Sequence, residues 1–495
     1  MTPIEGFKRS LRSRNLIEEL RLGLIGASAK VPGPYGYKPL IYADYVASGR
    51  ALEQIEDLVR YEVLPFYANS HTEASYCGAF STRLRESARA EIARMTGATE
   101  DFSVVFTGSG ATNGLNRMVN LLDIPGIRAR GGRVVVMVGP YEHHSNLLPW
   151  RESGAETVEI PEASTGGPDL EALEAELRRV ETADLILGAF SAASNVTGIL
   201  TDPDPVTRLL KRYGALAIWD YACGAPYIGM DMRAGMETEK DAIVFSTHKF
   251  PGGPGASGIM VIRNSMVRSD VPTFPGGGTV SFVSPWSHIY SPNIAHREEA
   301  GTPNVVGDVR AALVMLVKEA MGQEWLDQRH AALRARALAV WRTNPAIEIL
   351  GNPAAHSLPI FSFRVRDGRG GYLHHQFFTR LLSDLHGIQA RGGCACAGSY
   401  AHRLLGLDRG ESDRMRAAIQ RGLETEKPGW IRLNISALMC DDKAQLIISK
   451  VDELASCASD YLGDYQVDTR NARFVPVAKS SAVGSPATRR AGASA

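Results

Sequence analysis

From about residue 41 the chain alternates short apolar runs with amphipathic helical stretches, the pattern that a mainly parallel β-sheet flanked by helices requires. Residues 103–106, 133–138, 185–190, 215–219 and 242–245 are the apolar runs and read as strands. Between them Leu52, Ile55, Leu58, Val59 and Val63 share one helical face, and a second helix follows over about 82–95. Asp169 precedes Leu170, Leu173 and Leu177 as a helix cap. The fold class is therefore α/β. Upstream, residues 4–22 have the spacing of one amphipathic helix and run into a Gly/Pro-rich connection ending near Pro39. Downstream, the turn-rich stretch 273–291 reads as a long functional loop, and a helix over about 306–321 precedes a change of pattern. The expected organisation is an N-terminal helical segment (1–40), a large domain (41–325), a smaller α+β C-terminal domain (326–465) and a tail (466–495). The Ala, Ser, Gly and Arg content of that tail from 475 onward predicts disorder.

Charge narrows the function classes. Lysine plus arginine, 54 residues, equals aspartate plus glutamate, 54, which removes the electrostatic case for nucleic acid or an anionic membrane as partner. No apolar run is long enough to span a bilayer, and Glu5, Lys8, Arg9, Arg12 and Arg14 crowd the start without a signal-peptide core, so a cytoplasmic location is expected. Six cysteines, Cys77, Cys223, Cys394, Cys396, Cys440 and Cys457, are too sparse for a disulfide scaffold in 495 residues. One that matters does so as a thiol.

Two of the predicted strands end on chemistry. Asp220 closes the run 215–219, and Lys249 follows the run 242–245 in Ser246-Thr247-His248-Lys249, just before a glycine-rich turn. Taken singly, a lysine is usually a solvated surface group, and an aspartate ending a strand is usually a cap or turn. Together, at the strand ends where α/β sheets bind ligands, they match the needs of pyridoxal phosphate: a lysine to hold the aldehyde as a Schiff base and a carboxylate to keep the pyridine nitrogen protonated. The loop Gly108-Ser109-Gly110-Ala111-Thr112-Asn113-Gly114 between a strand and a helix can bring backbone amides and the Thr112 hydroxyl to a phosphate, and Ser246 and His248 can add donors. His143, after the strand ending at Val138, can lie on the pyridine ring. The His143-His144 pair lacks an HExxH pattern or paired CxxC motifs, so no metal is expected.

These motifs, with Thr107 to Asn116, Glu142 to Asn146, Ser194-Asn195-Val196-Thr197-Gly198, Ala300-Gly301-Thr302-Pro303-Asn304 and Arg391-Gly392-Gly393-Cys394-Ala395-Cys396, resemble the class V aminotransferase superfamily. Within it the chain is most similar to the cysteine desulfurase and selenocysteine lyase branch. The likeness runs from Tyr42-Ala43-Asp44 to about Leu462. It implies the fold type I architecture of pyridoxal phosphate transferases and a homodimer. It further implies Lys249 as the Schiff-base lysine, Asp220 as the pyridinium partner and His143 as the ring-stacking residue. Ala111, Thr112, Ser246 and His248 would bind the cofactor's phosphate, and Thr302 that of the partner subunit. Asn195 and Arg432 would hold the substrate carboxylate, with His71 and Arg391 near the substrate.

The implied reaction takes sulfur or selenium from a cysteine-type amino acid, leaves a persulfide on a protein thiol, releases alanine and can hand the sulfur to an acceptor protein. The nucleophile belongs on a mobile loop, and the branch's R-x-G-x-x-C spacing, counted from Arg391, lands on Cys396. Cys394 is an alternative or resolving thiol, and Arg391 a cationic neighbour that favours thiolate. Two departures stand out: Cys223 occupies the position where the branch has a glutamine donating to the cofactor's ring oxygen, and Cys-Ala-Cys replaces a histidine pair. Alternatives are an aminotransferase, epimerase or β-eliminating carbon–sulfur lyase that uses no cysteine nucleophile, or a sulfur-trafficking scaffold without turnover.

Overall fold

In the computed structural model, which describes residues 2–70 and 72–477, seven strands form one sheet. They are β1 Phe102–Gly108, β2 Val134–Val138, β3 Glu156–Glu159, β4 Leu185–Ser191, β5 Leu216–Asp220, β6 Ala242–Ser246 and β7 Gly258–Arg263. Their order is β1-β7-β6-β5-β4-β2-β3. Neighbours from β6 to β3 pair in parallel, and β7 runs antiparallel to β1 and β6. Alternate residues feed two different cores. Val135, Met137, Ile186, Trp219, Ile243 and Phe245 pack on one face, while Val134, Val136, Leu187, Ile218 and Val244 pack on the other. With both faces covered the inner strands have no polar side, which is why they stand out in the sequence as apolar runs, whereas the edge strand β3 is polar and partly exposed.

Helices α1 Tyr76–Met95, α2 Ala111–Leu121 and α3 Val305–Met321 cover the sheet, and Asp169 caps its helix by accepting from Glu171 and Ala172 N–H. The class is α/β, as the alternation predicts. A second sheet, β8 Ile347–Ile349, β9 Ile360–Val365, β10 Arg391–Gly393 and β11 Trp430–Asn434, is antiparallel with order β8-β9-β11-β10. Phe361, Phe363, Ile431 and Leu433 from it share a core with Trp341, Phe377, Phe378 and Ile447 of three helices. Residues 41–42 pair in parallel with 388–389, which carries the chain at Asp44 up to this second sheet.

Three expectations are corrected. The N-terminal helix is two helices, Pro3–Ser10 and Leu16–Leu22; the Asn15 N–H bonds to the Ser13 hydroxyl at 3.1 Å, a side chain competing with the helical ladder. The loop 273–291 contains a hairpin of Val280–Val283 and His288–Tyr290, its turn closed from Ser284 N–H to Ser287 C=O. The tail starts ordered, with Tyr465–Asp468 paired to Arg473–Pro476 and Phe474 packed 5.3 Å from the Phe377 ring, an apolar anchor that the composition of the later residues obscures. Residues 478–495 lie outside the described residues. Among the described residues no helix is long and apolar enough to cross a membrane.

Candidate active site

The ends of the strands converge on one cavity. Asp220 ends β5, Ser246 ends β6 with His248 and Lys249 in the turn beyond it, Gly108 ends β1 ahead of α2, and β2 runs on to His143. At the carboxyl ends of strands the chain turns into loops and helix N-termini, so free backbone donors collect there. The cavity holds about 240 Å³ and is lined by Ala111, Thr112, His143, Asn195, Asp220, Cys223, Ser246, His248, Lys249, Arg391, Cys396 and Arg432 among others. A larger cleft of about 700 Å³ lies between the N-terminal helices and the end of α3. Lys8, Arg21 and Glu319 in its lining are paired with Glu91, Glu18 and Arg94, and it holds no lysine and carboxylate at strand ends, so volume alone does not mark the site.

At the floor, Asp220 is buried and accepts the Ala222 N–H at 2.7 Å. Desolvation pushes its carboxyl up from the usual range, against the pull of that N–H and of Lys249. Burial likewise lowers the Lys249 ammonium, an effect opposed by Cys223 and Asp220; a larger share of free amine makes a better carbonyl nucleophile. The Cys223 thiol contacts the Ser194 carbonyl at 3.5 Å, and desolvation pushes it to about 11, so it stays protonated. His143 accepts the Ser145 N–H at Nδ1, 3.1 Å, which leaves its proton on Nε2. Burial, and then Lys249, hold that ring neutral by lowering it to about 3.

Next to these groups is a cradle for an anion. Gly110 has φ +84°, and a Cβ there would stand 2.7 Å from the Ser246 hydroxyl and 3.2 Å from the His248 ring, so only glycine lets the three segments close together. The Ala111 N–H donates to Ser246 Oγ at 3.0 Å, and the Thr112 and Ser145 hydroxyls lie 2.7 Å apart. Desolvation lowers His248 to about 4, leaving it uncharged. Hydroxyls, a neutral imidazole and the N-terminal amides of α2 suit a phosphate dianion without crowding it with fixed charge. With a buried carboxylate and a desolvated lysine beside that cradle, the donor set fits pyridoxal phosphate.

The opposite wall carries two arginines. Arg391 and Arg432 are directly opposed across β10 and β11, an arrangement that like charges disfavour. Asp44 resolves it by accepting Arg432 Nη2 at 2.8 Å on Oδ1 and Arg391 Nε at 3.0 Å on Oδ2. Arg432 Nη1 also donates to the Asn195 carbonyl at 3.0 Å, while its Nε and the Asn195 Oδ1 are buried without partners. The Arg391 side chain is 47% exposed, so its half of the pairing is screened and the buried Arg432 half carries the stabilisation. Asp44→Ala is expected to cost about 3 kcal/mol, the scale for removing one partner of a buried ion pair. A lower urea midpoint at unchanged slope is the readout, and a wild-type midpoint would contradict it.

The cysteine loop leaves β10 into a tight turn. The Ala397 N–H donates to the Cys394 carbonyl at 3.1 Å, and the two central residues, Ala395 (φ 53°) and Cys396 (φ 55°), are both left-handed, as in a type I′ turn. Non-glycine residues pay ~1–2 kcal/mol each for that conformation, and it persists only where neighbours enforce it. The neighbours are identifiable: Asn195 Nδ2 donates to the Ala395 carbonyl at 2.8 Å, and the His144 N–H donates to the Cys396 carbonyl at 2.8 Å. The loop expected to be mobile is thus tethered. Cys396 is exposed and lines the cavity, whereas Cys394 packs against an apolar cluster that includes Tyr141, Val196 and Trp430.

Of the residues singled out in the sequence, Cys394 and Thr302 stand off the cavity lining, Thr302 being exposed, and His71 lies outside the described residues. Asn195, expected to meet a substrate carboxylate, gives its amide to Ala395 and its carbonyl to Arg432. The His143 and His144 rings, 6.1 Å apart between centroids, turn to different partners. Sequence reading assigned nothing to Asp44, His144 or Ser145. Their partners lie far along the chain or, for Ser145, in the first turn of α2, and no local pattern signals such contacts.

The model of the aminotransferase class-V family matches residues 41–426. A probable cysteine desulfurase of Vibrio cholerae is 28% identical over 364 residues, 72% of this chain and 85% of that protein. A cysteine desulfurase of an Enterobacter species is 27% identical over 367 residues, 72% and 84% of the two chains. Among solved structures, the Escherichia coli cysteine desulfurase CsdA superposes with a TM-score of 0.68 at 20% identity, covering 89% of this chain and 98% of that one. At that identity the match speaks for the fold.

Proposed function

We propose, for a chain that belongs to the aminotransferase class-V family, that the cavity at the strand ends is the active site of a pyridoxal phosphate-dependent enzyme taking sulfur from L-cysteine. The observation that carries this reading is that Cys396, an exposed thiol, lines the same small cavity as Lys249 and Asp220. Lys249 would hold the cofactor's carbonyl carbon, Asp220 its ring nitrogen, and the α2 N-terminus with Thr112, Ser246 and His248 its phosphate. The neutral face of His143 would cover the ring. Bound there, the cofactor supplies an electron sink for the substrate's α-carbon.

Arg432 positions the substrate carboxylate from a wall already fixed by Asp44 and Asn195. The Lys249 amine, whose protonation burial disfavours, takes the α-proton. The Cys396 thiolate attacks the substrate sulfur: a sulfur–sulfur bond forms, the substrate carbon–sulfur bond breaks, and the carbon skeleton leaves as alanine. In balance, cysteine plus the Cys396 thiol gives alanine plus the Cys396 persulfide. A dithiol then restores the thiol with release of sulfide. The Cys223 thiol, protonated and turned to Ser194, takes no part as a nucleophile. A second copy of the chain would cover the exposed apolar hairpin, where Trp286 is 91% accessible, and would bring Thr302 to its partner's phosphate.

Product analysis tests the reading. With L-cysteine and a dithiol, alanine and sulfide should form in equal amounts. Pyruvate in place of alanine would make the protein a β-eliminating lyase instead.

A further inference from the structure

His144 stands beside the ring-covering His143 yet is not part of the cavity lining, and both its N–H and its ring Nε2 are engaged by the cysteine loop. Its N–H donates to the carbonyl of Cys396, as described above, and its Nε2 accepts the Gly398 N–H at 2.9 Å. Gly398 is the first residue of the helix Gly398–Leu405, here α4, which begins two residues past the thiol. The N-cap of that helix, Ala397, has no side chain able to accept a hydrogen bond, so the leading amide has no local partner. His144 fills that role from a distant loop. Gly398 also lacks the side chain that would obstruct it, since a Cβ there would sit 3.1 Å from Nε2. Burial, with Arg151 nearby, lowers the His144 pKa and keeps the Nε2 lone pair available.

We propose that His144 is a positioning residue for the nucleophile: by capping α4 through Nε2 and binding the Cys396 carbonyl, it holds the strained turn 394–397 so that the thiol stays in the cavity. This rests on the assignment of Cys396 as sulfur acceptor. The substitution His144→Ala removes the acceptor and keeps the backbone bond. His144→Gln places an amide oxygen near the Nε2 position, and His144→Asn places its oxygen near Nδ1, out of reach of Gly398.

The experiment measures hydrogen–deuterium exchange of the peptide spanning residues 396–405 in the cofactor-loaded enzyme, together with kcat and KM for sulfide release. In His144→Ala and His144→Asn, exchange should rise about tenfold and kcat should fall about tenfold with KM little changed, the scale of one lost hydrogen bond. His144→Gln should restore both. Wild-type exchange in His144→Ala overturns the proposal, as does raised exchange with unchanged kcat, or a Gln variant as impaired as the Ala variant. The exchange readout does not depend on the reaction, so sulfide release by a Cys396→Ser enzyme would sink the sulfur-acceptor assignment while leaving the cap to be judged on its own.

Discussion

Lys249→Ala is expected to lower sulfide release by roughly 10³-fold or more, within the range seen when a positioned proton-transfer group is lost. The reason is local. Lys249 is the lysine that lines the cavity, its ammonium is disfavoured by burial, and it shares the lining with Asp220 and Cys223, whose charges act on it. Removing it takes away both the covalent anchor and the base, so the variant should lose the cofactor's protein-bound absorbance and should also fail to exchange the α-hydrogen of added cysteine with solvent. The fold should be unaffected, because Lys249 contributes to none of the apolar clusters around the sheet. A variant that still exchanged the α-hydrogen at the wild-type rate would show that the base lies elsewhere.

Cys396→Ser should separate the two halves of the reaction. A serine hydroxyl is a weak nucleophile at its ordinary pKa, so sulfide release should fall by roughly 10³-fold or more, the scale on which loss of a nucleophile reads out. The upstream step depends on Lys249 and should persist, with α-hydrogen exchange within a few fold of wild type. Cys394→Ser should retain most of the activity, because Cys394 packs against the cluster of Tyr141, Val196 and Trp430 and stands off the cavity lining. If Cys394→Ser were the inactive variant and Cys396→Ser the active one, the turn would have to open and exchange the two thiols.

Five strands of the central sheet were legible because burial on both faces stamps them as apolar runs, whereas the edge strand 156–159, polar and partly exposed, and the strand 258–263 were not read. Those five therefore ended in the sequence about where they end in space, and Asp220 and Ser246 fell on their ends. The cradle was legible for a similar reason, since glycine, hydroxyl and helix start follow one another within a single segment. What stayed hidden depends on distant pairings. Asp44 meets Arg391 and Arg432 across 347 and 388 residues, and His144 meets Gly398 across 254. The turn at Ala395 and Cys396 was hidden differently. Left-handed turns are announced by glycine, asparagine or aspartate, and here the nearest glycines, Gly393 and Gly398, each stand two residues from the positions that need them. That mismatch between sequence and backbone falls at the proposed nucleophile, where enforced strain is expected.

The most direct test of the account is a single turnover with L-cysteine and no reductant, followed by mass spectrometry of the peptide that holds Cys394 and Cys396. One added sulfur on Cys396, matched by one alanine released per site, is the predicted result. Stoichiometric alanine with Cys396 unmodified would contradict it.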